Sequence, residues 1–375
     1  MTRTDFSQSL QLLIILCKTN WSDQDLDFIK KHFSANESNV LILSERHRIF
    51  PLIWSAHQSL SLFSEDYSKE LKRKIEENQR RTFQVATLHA KLEKLMSANG
   101  VSGFFLKGII LAKRYYKDIA ERHVLDVDLF VGAHRLGKMS RILYDMGYQS
   151  YPNIMTFTKL QLKYYLNTHH DLYFFNPDDK NFLPVELHWK LRGPWSSFDL
   201  IPDSGLNMID EFLYLCVHGT EHGWFRLKWL MDLPRIIIVS DFDWSQVSTR
   251  AGELNCSKQL EITLIILENL QLIDLPDYWE GKLNVEKYRY QIEYILNAIA
   301  AETTFQENDV SRLRYFRYLR SFHAGTKNIL IWKNFMTSHN DWKLIQLPDP
   351  LFFMYFILRP FFWLYRRIQV RAQIF

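Results

Sequence analysis

Two aspartates stand one residue apart in the stretch RHVLDVDLFV, residues 122–131. Val124 to Val131 is otherwise apolar and predicts a β-strand. Neighbours i and i+2 of a β-strand point to the same face, roughly 6.5–7 Å apart. Asp126 and Asp128 should therefore project together while Val127 and Leu129 enter the core. Magnesium prefers such hard oxygen ligands and is held by one or two carboxylates plus substrate phosphates. A solvated edge strand is the alternative, and it is disfavoured because aspartate is a poor strand former.

A third carboxylate stands on a later predicted strand. In PVELHW, Glu186 lies between Val185 and Leu187, so the acid should face away from the core. Glu186 then either completes a three-carboxylate metal set or faces water in a hairpin. His188 shares its strand face and is a candidate hydrogen-bond partner or base for the carboxylates, although packing near Trp189 is the favoured interpretation.

The stretch GFFLKGIILAKRYY predicts a short strand from Gly103 to Leu106, a turn at Lys107 and Gly108, and a helix. Free backbone N–H groups at a helix N-terminus favour an anion, and glycine permits close approach. Lys107 therefore either adds charge to a phosphate site or is a surface lysine beside a turn. Arg122, just ahead of the acidic strand, is a second candidate for phosphate binding.

The elements around these residues predict an α+β fold. Helical periodicity occupies the first 95 residues, and a helix from Leu136 to Met146 follows the acidic strand. HDLYFF and FLPVELHW, joined by turn-forming residues, predict a hairpin, and helices return from Pro202 onward. We expect a small mixed sheet in residues 96–200, flanked by helical regions 1–95 and 201–375.

Composition narrows the class of protein. The chain has 375 residues, 47% of them hydrophobic, with a net charge of +4 and three widely spaced cysteines. This composition predicts a folded, cytoplasmic protein without a disulfide framework or a zinc site, and a long nucleic-acid partner is not expected. The aromatic stretch 347–367 is interrupted by Arg359 and Pro360, so we expect a helix packed on the body and not a membrane span.

The order of these motifs resembles the uncharacterised nucleotidyltransferase family of the polymerase-beta-like nucleotidyltransferase superfamily. The resemblance rests on LKG, R-x-x-x-D-x-D, ELHW and HGTEHGWFRLKWLMDL, and it extends over roughly residues 30–365. It implies that Asp126, Asp128 and Glu186 are catalytic ligands of Mg²⁺ or Mn²⁺. It also places Lys107 and Gly108 at a phosphate-binding turn, where Ile109 replaces the usual second small residue.

The implied activity is Mg-dependent transfer of a nucleotidyl group from a nucleoside triphosphate to an unidentified acceptor, whether a small molecule, sugar, peptide, protein or RNA end. Arg122 and Lys228 are expected to steady the phosphates. His222 and Asp232 fall near one helical face that would cover the cleft, with Lys228 at its edge. Lys228 and Asp232 are four residues apart, and an ion pair between them is the simpler alternative.

Two other functions stay open at this point. The fold can serve as a non-catalytic scaffold that binds a nucleotide or a partner protein, with the aromatic C-terminus as a docking surface. Contact of residues 347–367 with a membrane surface is a further, less favoured hypothesis. His169, His170 and Asp171 suggest a transition metal, but without another ligand at suitable spacing we favour hairpin packing or substrate contact.

Overall fold

The computed structural model describes residues 5–178, 183–191, 205–301, 309–322 and 337–372. Helices form the N-terminal region, as predicted. Serine caps begin α1 and α2, where the Ser7 and Ser22 hydroxyls accept bonds from backbone N–H groups two or three residues into each helix. The bounds are α1 Gln8–Leu16, α2 Asp23–His32, α3 Glu37–Arg46, α4 Phe50–Leu60 and α5 Glu65–Ala98.

The described residues include one mixed sheet of five strands. The strands are β1 Phe104–Leu106, β2 Val127–Phe130, β3 Gln149–Tyr151, β4 Asp171–Phe175 and β5 Val185–His188, and their order in space is β1-β2-β5-β4-β3. Only the central pair, β2 with β5, is parallel. β4 and β5 form the predicted antiparallel hairpin. The predicted α+β fold is confirmed.

The remaining helices lie between the strands and after them. The middle of the chain contains α6 Gly108–Tyr115, α7 Leu136–Asp145 and α8 Lys159–Thr168. The C-terminal region contains α9 Met208–Glu221, α10 Leu227–Ser240, α11 Trp244–Glu253, α12 Ser257–Asn269, α13 Arg289–Ala300, α14 Asp309–Phe322, α15 His339–Leu344 and α16 Met354–Ala372. The expected boundary between residues 200 and 201 lies outside the described residues.

The acidic strand is shorter than predicted. The sequence suggested Val124 to Val131, whereas the ladder begins at Val127, whose N–H donates to the Pro184 carbonyl over 3.1 Å. The carbonyl of Leu125 instead accepts a 2.7 Å bond from Nη2 of Arg81 on α5. This carbonyl is directed at α5 and not at the neighbouring strand, and Asp126 stands just ahead of β2.

The two helical regions share one hydrophobic core. α1 to α4 and the first half of α5 pack against α9, α10, α12 and α13, whereas the second half of α5 packs on the sheet together with α7 and α16. Leu71 and Ile75 of α5 belong to the first core, and Val85 and Leu92 belong to the second. The long helix α5 therefore fixes the N-terminal layer relative to the sheet.

The aromatic C-terminal stretch forms one helix that continues through Pro360. Tyr355 and Phe362 are buried on either side of the proline. Their packing holds both halves of α16 against the sheet core. Tertiary packing thus outweighs the loss of one helical hydrogen bond. None of the described helices is long and apolar enough to cross a membrane, as the interruption at Pro360 had suggested.

A buried histidine joins the N-terminal layer to α10. His47, in the turn between α3 and α4, is fully buried. Its Nδ1 accepts a 3.1 Å bond from the N–H of Leu227, and its carbonyl accepts one of 3.3 Å from the N–H of Lys228. Burial and the charges of Arg46 and Arg226 hold the pKa of His47 well below its usual value.

This arrangement makes stability depend on pH. The unfolded chain binds a proton at His47 below about pH 6.5 and the folded chain does not, so the free energy of unfolding must fall as pH falls through that value. Between pH 7 and pH 5.5 this site should contribute a loss of about 1 kcal/mol. Urea unfolding of His47→Gln should show a correspondingly smaller loss, whereas the exposed His134→Gln should behave as wild type. Equal losses in all three proteins would contradict this assignment.

Candidate active site

The parallel pairing of β2 with β5 sets Asp128 directly opposite Glu186. Their strand neighbours Val127, Leu129 and Leu187 are buried in the sheet core. The alternation predicted from the sequence therefore brings both carboxylates to one face. Asp128 is almost completely buried, and the side chain of Glu186 remains 31% exposed, so a ligand can reach the pair from the Glu186 side.

Two basic side chains contact the carboxylate of Asp128. Lys107 Nζ lies 2.9 Å from Oδ1, and His188 Nε2 lies 3.2 Å from the same oxygen. His188 Nε2 is also 3.8 Å from Oε2 of Glu186. His188 therefore bridges the two acids, which is the role that the sequence analysis offered as the alternative to the favoured packing near Trp189.

The turn at Lys107 and Gly108 brings the lysine to this position. Both residues have positive φ, 41° and 39°, which is the region that glycine adopts readily and lysine rarely. α6 starts at Gly108 immediately after the turn. The predicted turn between strand and helix thus exists, and its lysine points at Asp128.

The charges divide the two acids into different protonation states. Burial opposes ionisation of Asp128, but Lys107 and the hydrogen bond from His188 outweigh it, so the pKa of Asp128 lies below its ordinary value. Burial and the charge of Asp128 raise the pKa of Glu186 to about 9. At neutral pH without a metal, Glu186 therefore holds a proton and Asp128 does not.

Asp126 occupies a different position. Three ligand-bearing side chains, those of Asp128, Glu186 and His188, have atoms within 4.8 Å of one another, and Asp126 is not among them. Asp126 is half-buried, and its charge contributes to the raised pKa of Glu186. The same charge raises the pKa of Arg48 and of Lys228, where it opposes the larger lowering that burial causes. It lies between the acid pair and a group of cations.

Arg122 is committed to a buried ion pair. Its Nε and Nη2 donate to Oδ1 and Oδ2 of Asp232 over 2.8 and 2.9 Å, and its Nη1 donates to the Gly108 carbonyl over 3.2 Å. Tyr116 also donates its hydroxyl hydrogen to Asp232 over 2.7 Å. Arg122 and Asp232 thus hold the Lys107–Gly108 turn in place. Asp232 pairs with Arg122 and not with Lys228.

The other two predicted residues of this region lie on and before α10. Lys228 is partly exposed, and its Nζ is 3.4 Å from the carbonyl of His123 in the segment before β2. His222 stacks on Trp229, with ring centroids 5.0 Å apart, and makes an edge contact with His218. Lys228 therefore lies near the segment that leads to Asp126, while His222 belongs to an aromatic group. The predicted common helical face of His222 and Asp232 is wrong, because α9 ends at Glu221 and α10 begins only at Leu227.

The family of the chain follows from comparison with known proteins. The model of the uncharacterised nucleotidyltransferase family matches residues 34–271, more than half of the chain. The chain belongs to this family. No curated protein and no solved structure matches it. The match contains the turn, both acidic strands and α9 to α12, so the resemblance seen in the sequence is confirmed, and membership supports transfer of a nucleotidyl group in general.

The donor set in this member of the family fits a divalent cation. Asp128 and Glu186 supply hard oxygen ligands, and the repulsion that keeps Glu186 protonated is the kind that a bound cation removes. A second group, His170, Asp171 and His188, also has ligand atoms within 4.8 Å of one another. His188 belongs to both groups; the sequence suggested it as a hydrogen-bond partner or base for the carboxylates and not as a metal ligand.

Two residues of β4 also contribute to this face; the sequence named Asp171 only beside His169 and His170, and it did not name Tyr173. Asp171 of β4 pairs with His188, and Tyr173 pairs with Glu186. The charge of Asp171 adds to the factors that raise the pKa of Glu186. Their alternation in HDLYFF was visible, but only the register of the hairpin places them beside the acids.

We predict that the Arg122–Asp232 pair is a large contributor to stability. Arg122→Met leaves Asp232 buried without its partner, and breaking such a pair costs about 3–5 kcal/mol. The exposed i,i+4 pair of Arg73 and Glu77 is the control, since Arg73→Met should cost less than about 1 kcal/mol. Chemical denaturation measures both. Similar losses for the two variants would show that Asp232 is compensated in some other way.

Proposed function

We propose that this chain transfers a nucleotidyl group from a nucleoside triphosphate to an acceptor hydroxyl or phosphate and releases pyrophosphate, with Mg²⁺ or Mn²⁺ held by Asp126, Asp128 and Glu186. The observation that carries the proposal is the register of β2 with β5, which sets Asp128 against Glu186 on one partly exposed face. Family membership supports the reaction class. A divalent cation there would neutralise the carboxylates and the phosphate oxygens.

The protein groups have separate tasks in this proposal. Lys107 and the N–H groups at the start of α6 bind donor phosphates, and Arg122 keeps that turn in position through the Gly108 carbonyl. Glu186, once ionised, orients the acceptor and accepts its proton on a carboxylate oxygen. His188 fixes both carboxylates by its contacts of 3.2 and 3.8 Å.

Asp126 is the third acid of the proposal, and its support is different. Its charge acts on Glu186, and it precedes Asp128 by two residues. It also faces cations, so it links the acid pair to the neighbouring basic side chains. Asp126→Asn separates the two tasks, because a metal ligand affects Mn²⁺ affinity, whereas a residue that only balances cations leaves that affinity unchanged.

The proposal predicts loss of transfer in the acid variants. Each lost ligand removes several kcal/mol of charge stabilisation from the transition state, so Asp128→Asn and Glu186→Gln should lower the rate by on the order of 10²–10³-fold. The readout is label from α-³²P triphosphates in cell extract, with the labelled acceptor identified by mass spectrometry. The exposed Asp145→Asn and Glu76→Gln are matched controls that should retain full activity.

One feature of the site favours a non-catalytic scaffold as the second candidate. Lys107 already neutralises Asp128 at 2.9 Å, which allows the fold to bind a nucleotide without a metal. Calorimetric titration of ATP, GTP, CTP and UTP with and without Mg²⁺ distinguishes the two. We expect Mg²⁺ to tighten binding in wild type and to have no effect in the Asp126→Ala, Asp128→Ala double variant. Metal-independent binding that survives this double substitution would support the scaffold.

A further inference from the structure

Three segments that are distant in the sequence meet beside Asp126. The turn between α3 and α4 is joined to the start of α10 by the two bonds from Leu227 and Lys228 to His47. Lys228 Nζ in turn reaches the carbonyl of His123, three residues before Asp126. The arginines of these segments are thereby brought next to the acid.

Four basic side chains are collected in this way, and they differ in how they are bound. Arg46 is used structurally, since its guanidinium donates to the carbonyls of Ala298 and Ile299 over 2.9 and 3.0 Å. Arg48, Arg226 and Lys228 have no carboxylate within 4.0 Å in the part of the chain that the structure describes. These three residues, which we call the basic pocket, are each partly buried.

The guanidinium of Arg226 is positioned by aromatic rings, but one of its N–H groups has no hydrogen-bond partner among the described residues. It lies over the rings of Phe225 and Trp229, 5.1 and 6.0 Å from their centroids, so stacking limits its orientation. Its Nε is buried and has no hydrogen-bond partner among the described residues. A buried donor without a partner costs free energy, which a ligand acceptor would recover.

The local charge is unbalanced. Burial and the charges of Arg48 and Arg46 lower the pKa of Arg226 to about 10, and burial with Arg122 and Arg48 lowers that of Lys228 to about 7. The charge of Asp126 opposes these effects at Arg48 and Lys228, whereas Asp232, the other acid near Lys228, is paired with Arg122. Arg226 adds positive charge beside Arg48, so an anionic ligand would relieve the repulsion among these basic groups.

We propose that Arg48, Arg226 and Lys228 form a phosphate-binding pocket near Asp126. Arginine presents several donors in a planar fork that matches phosphate oxygens, and lysine adds a point charge. This inference rests on the proposed function in one respect, since the phosphate belongs either to the donor triphosphate or to a phosphorylated acceptor. Both sources share the same recognition chemistry.

The first test uses inorganic pyrophosphate on the full-length protein without metal or nucleotide. Wild type should bind it, and its melting temperature should rise with pyrophosphate concentration. Arg226→Gln and Lys228→Met should each weaken binding by about 10–100-fold, because a charged hydrogen bond contributes about 1.5–3 kcal/mol. Lys69→Met and Arg73→Gln, on the exposed face of α5, are the matched controls and should bind as wild type.

The melting curves also separate loss of binding from loss of fold. Removal of one repelling cation should leave the ligand-free melting temperature unchanged or raise it, while the rise with pyrophosphate disappears. Arg48→Gln provides an independent variant of the same pocket. Pyrophosphate affinity equal to wild type in all three variants would overturn the proposal.

A competition experiment identifies the source of the phosphate. With a non-hydrolysable α,β-methylene triphosphate and Mg²⁺ bound, loss of pyrophosphate binding assigns the pocket to the donor, and retained binding assigns it to the acceptor. Either result supports the pocket. Pyrophosphate binding is measured without turnover, so the test detects the pocket even if the protein transfers no nucleotide. Conversely, Asp128→Asn should abolish transfer and leave pyrophosphate binding intact, so the two hypotheses fail separately.

Discussion

Repulsion between Asp128 and Glu186 is the constraint on which the site depends. Parallel pairing of β2 with β5 places the two acids opposite each other, and burial prevents water from screening them. Lys107 and His188 reduce this repulsion by their contacts with Asp128, and a proton on Glu186 removes its charge. In the proposed function, a metal ion would take the place of the proton on Glu186. Two acids held so close cost free energy, which a surface without a charged ligand would not need.

The helical layers are built to keep that arrangement in place. Arg122 connects the Gly108 carbonyl to Asp232 on α10, and α10 is connected through His47 to the N-terminal layer. Because α5 packs into both cores, a shift of the N-terminal helices relative to the sheet would disturb the basic pocket. Helices that contribute neither residue of the acid pair thus determine which charges surround it.

Sequence patterns predicted the parts of the site that depend on local geometry. Alternation along a strand was sufficient to place Asp128 and Glu186 on faces opposite their apolar neighbours, and the Lys107–Gly108 turn followed from its strand–turn–helix pattern. The partners of Arg122 and His47 were not predictable in this way, since they lie 110 and 180 residues away. The position of Asp171 beside the acids could be predicted only from the hairpin register. The late start of β2 could not be predicted from the sequence, because the bond from Arg81 to the Leu125 carbonyl joins distant parts of the chain.

The acid pair and the basic pocket differ in whether they need a divalent cation to attract phosphate. Around Asp128, the charge of Lys107 balances one carboxylate and the proton on Glu186 removes the other, so the acid pair attracts an anion only weakly until a divalent cation arrives. The basic pocket carries excess positive charge in the absence of any metal. In the proposed function, a phosphate can therefore bind beside Asp126 first and bring negative charge close to the acid pair. That charge would then favour entry of the cation, which links substrate binding to metal binding through electrostatics alone.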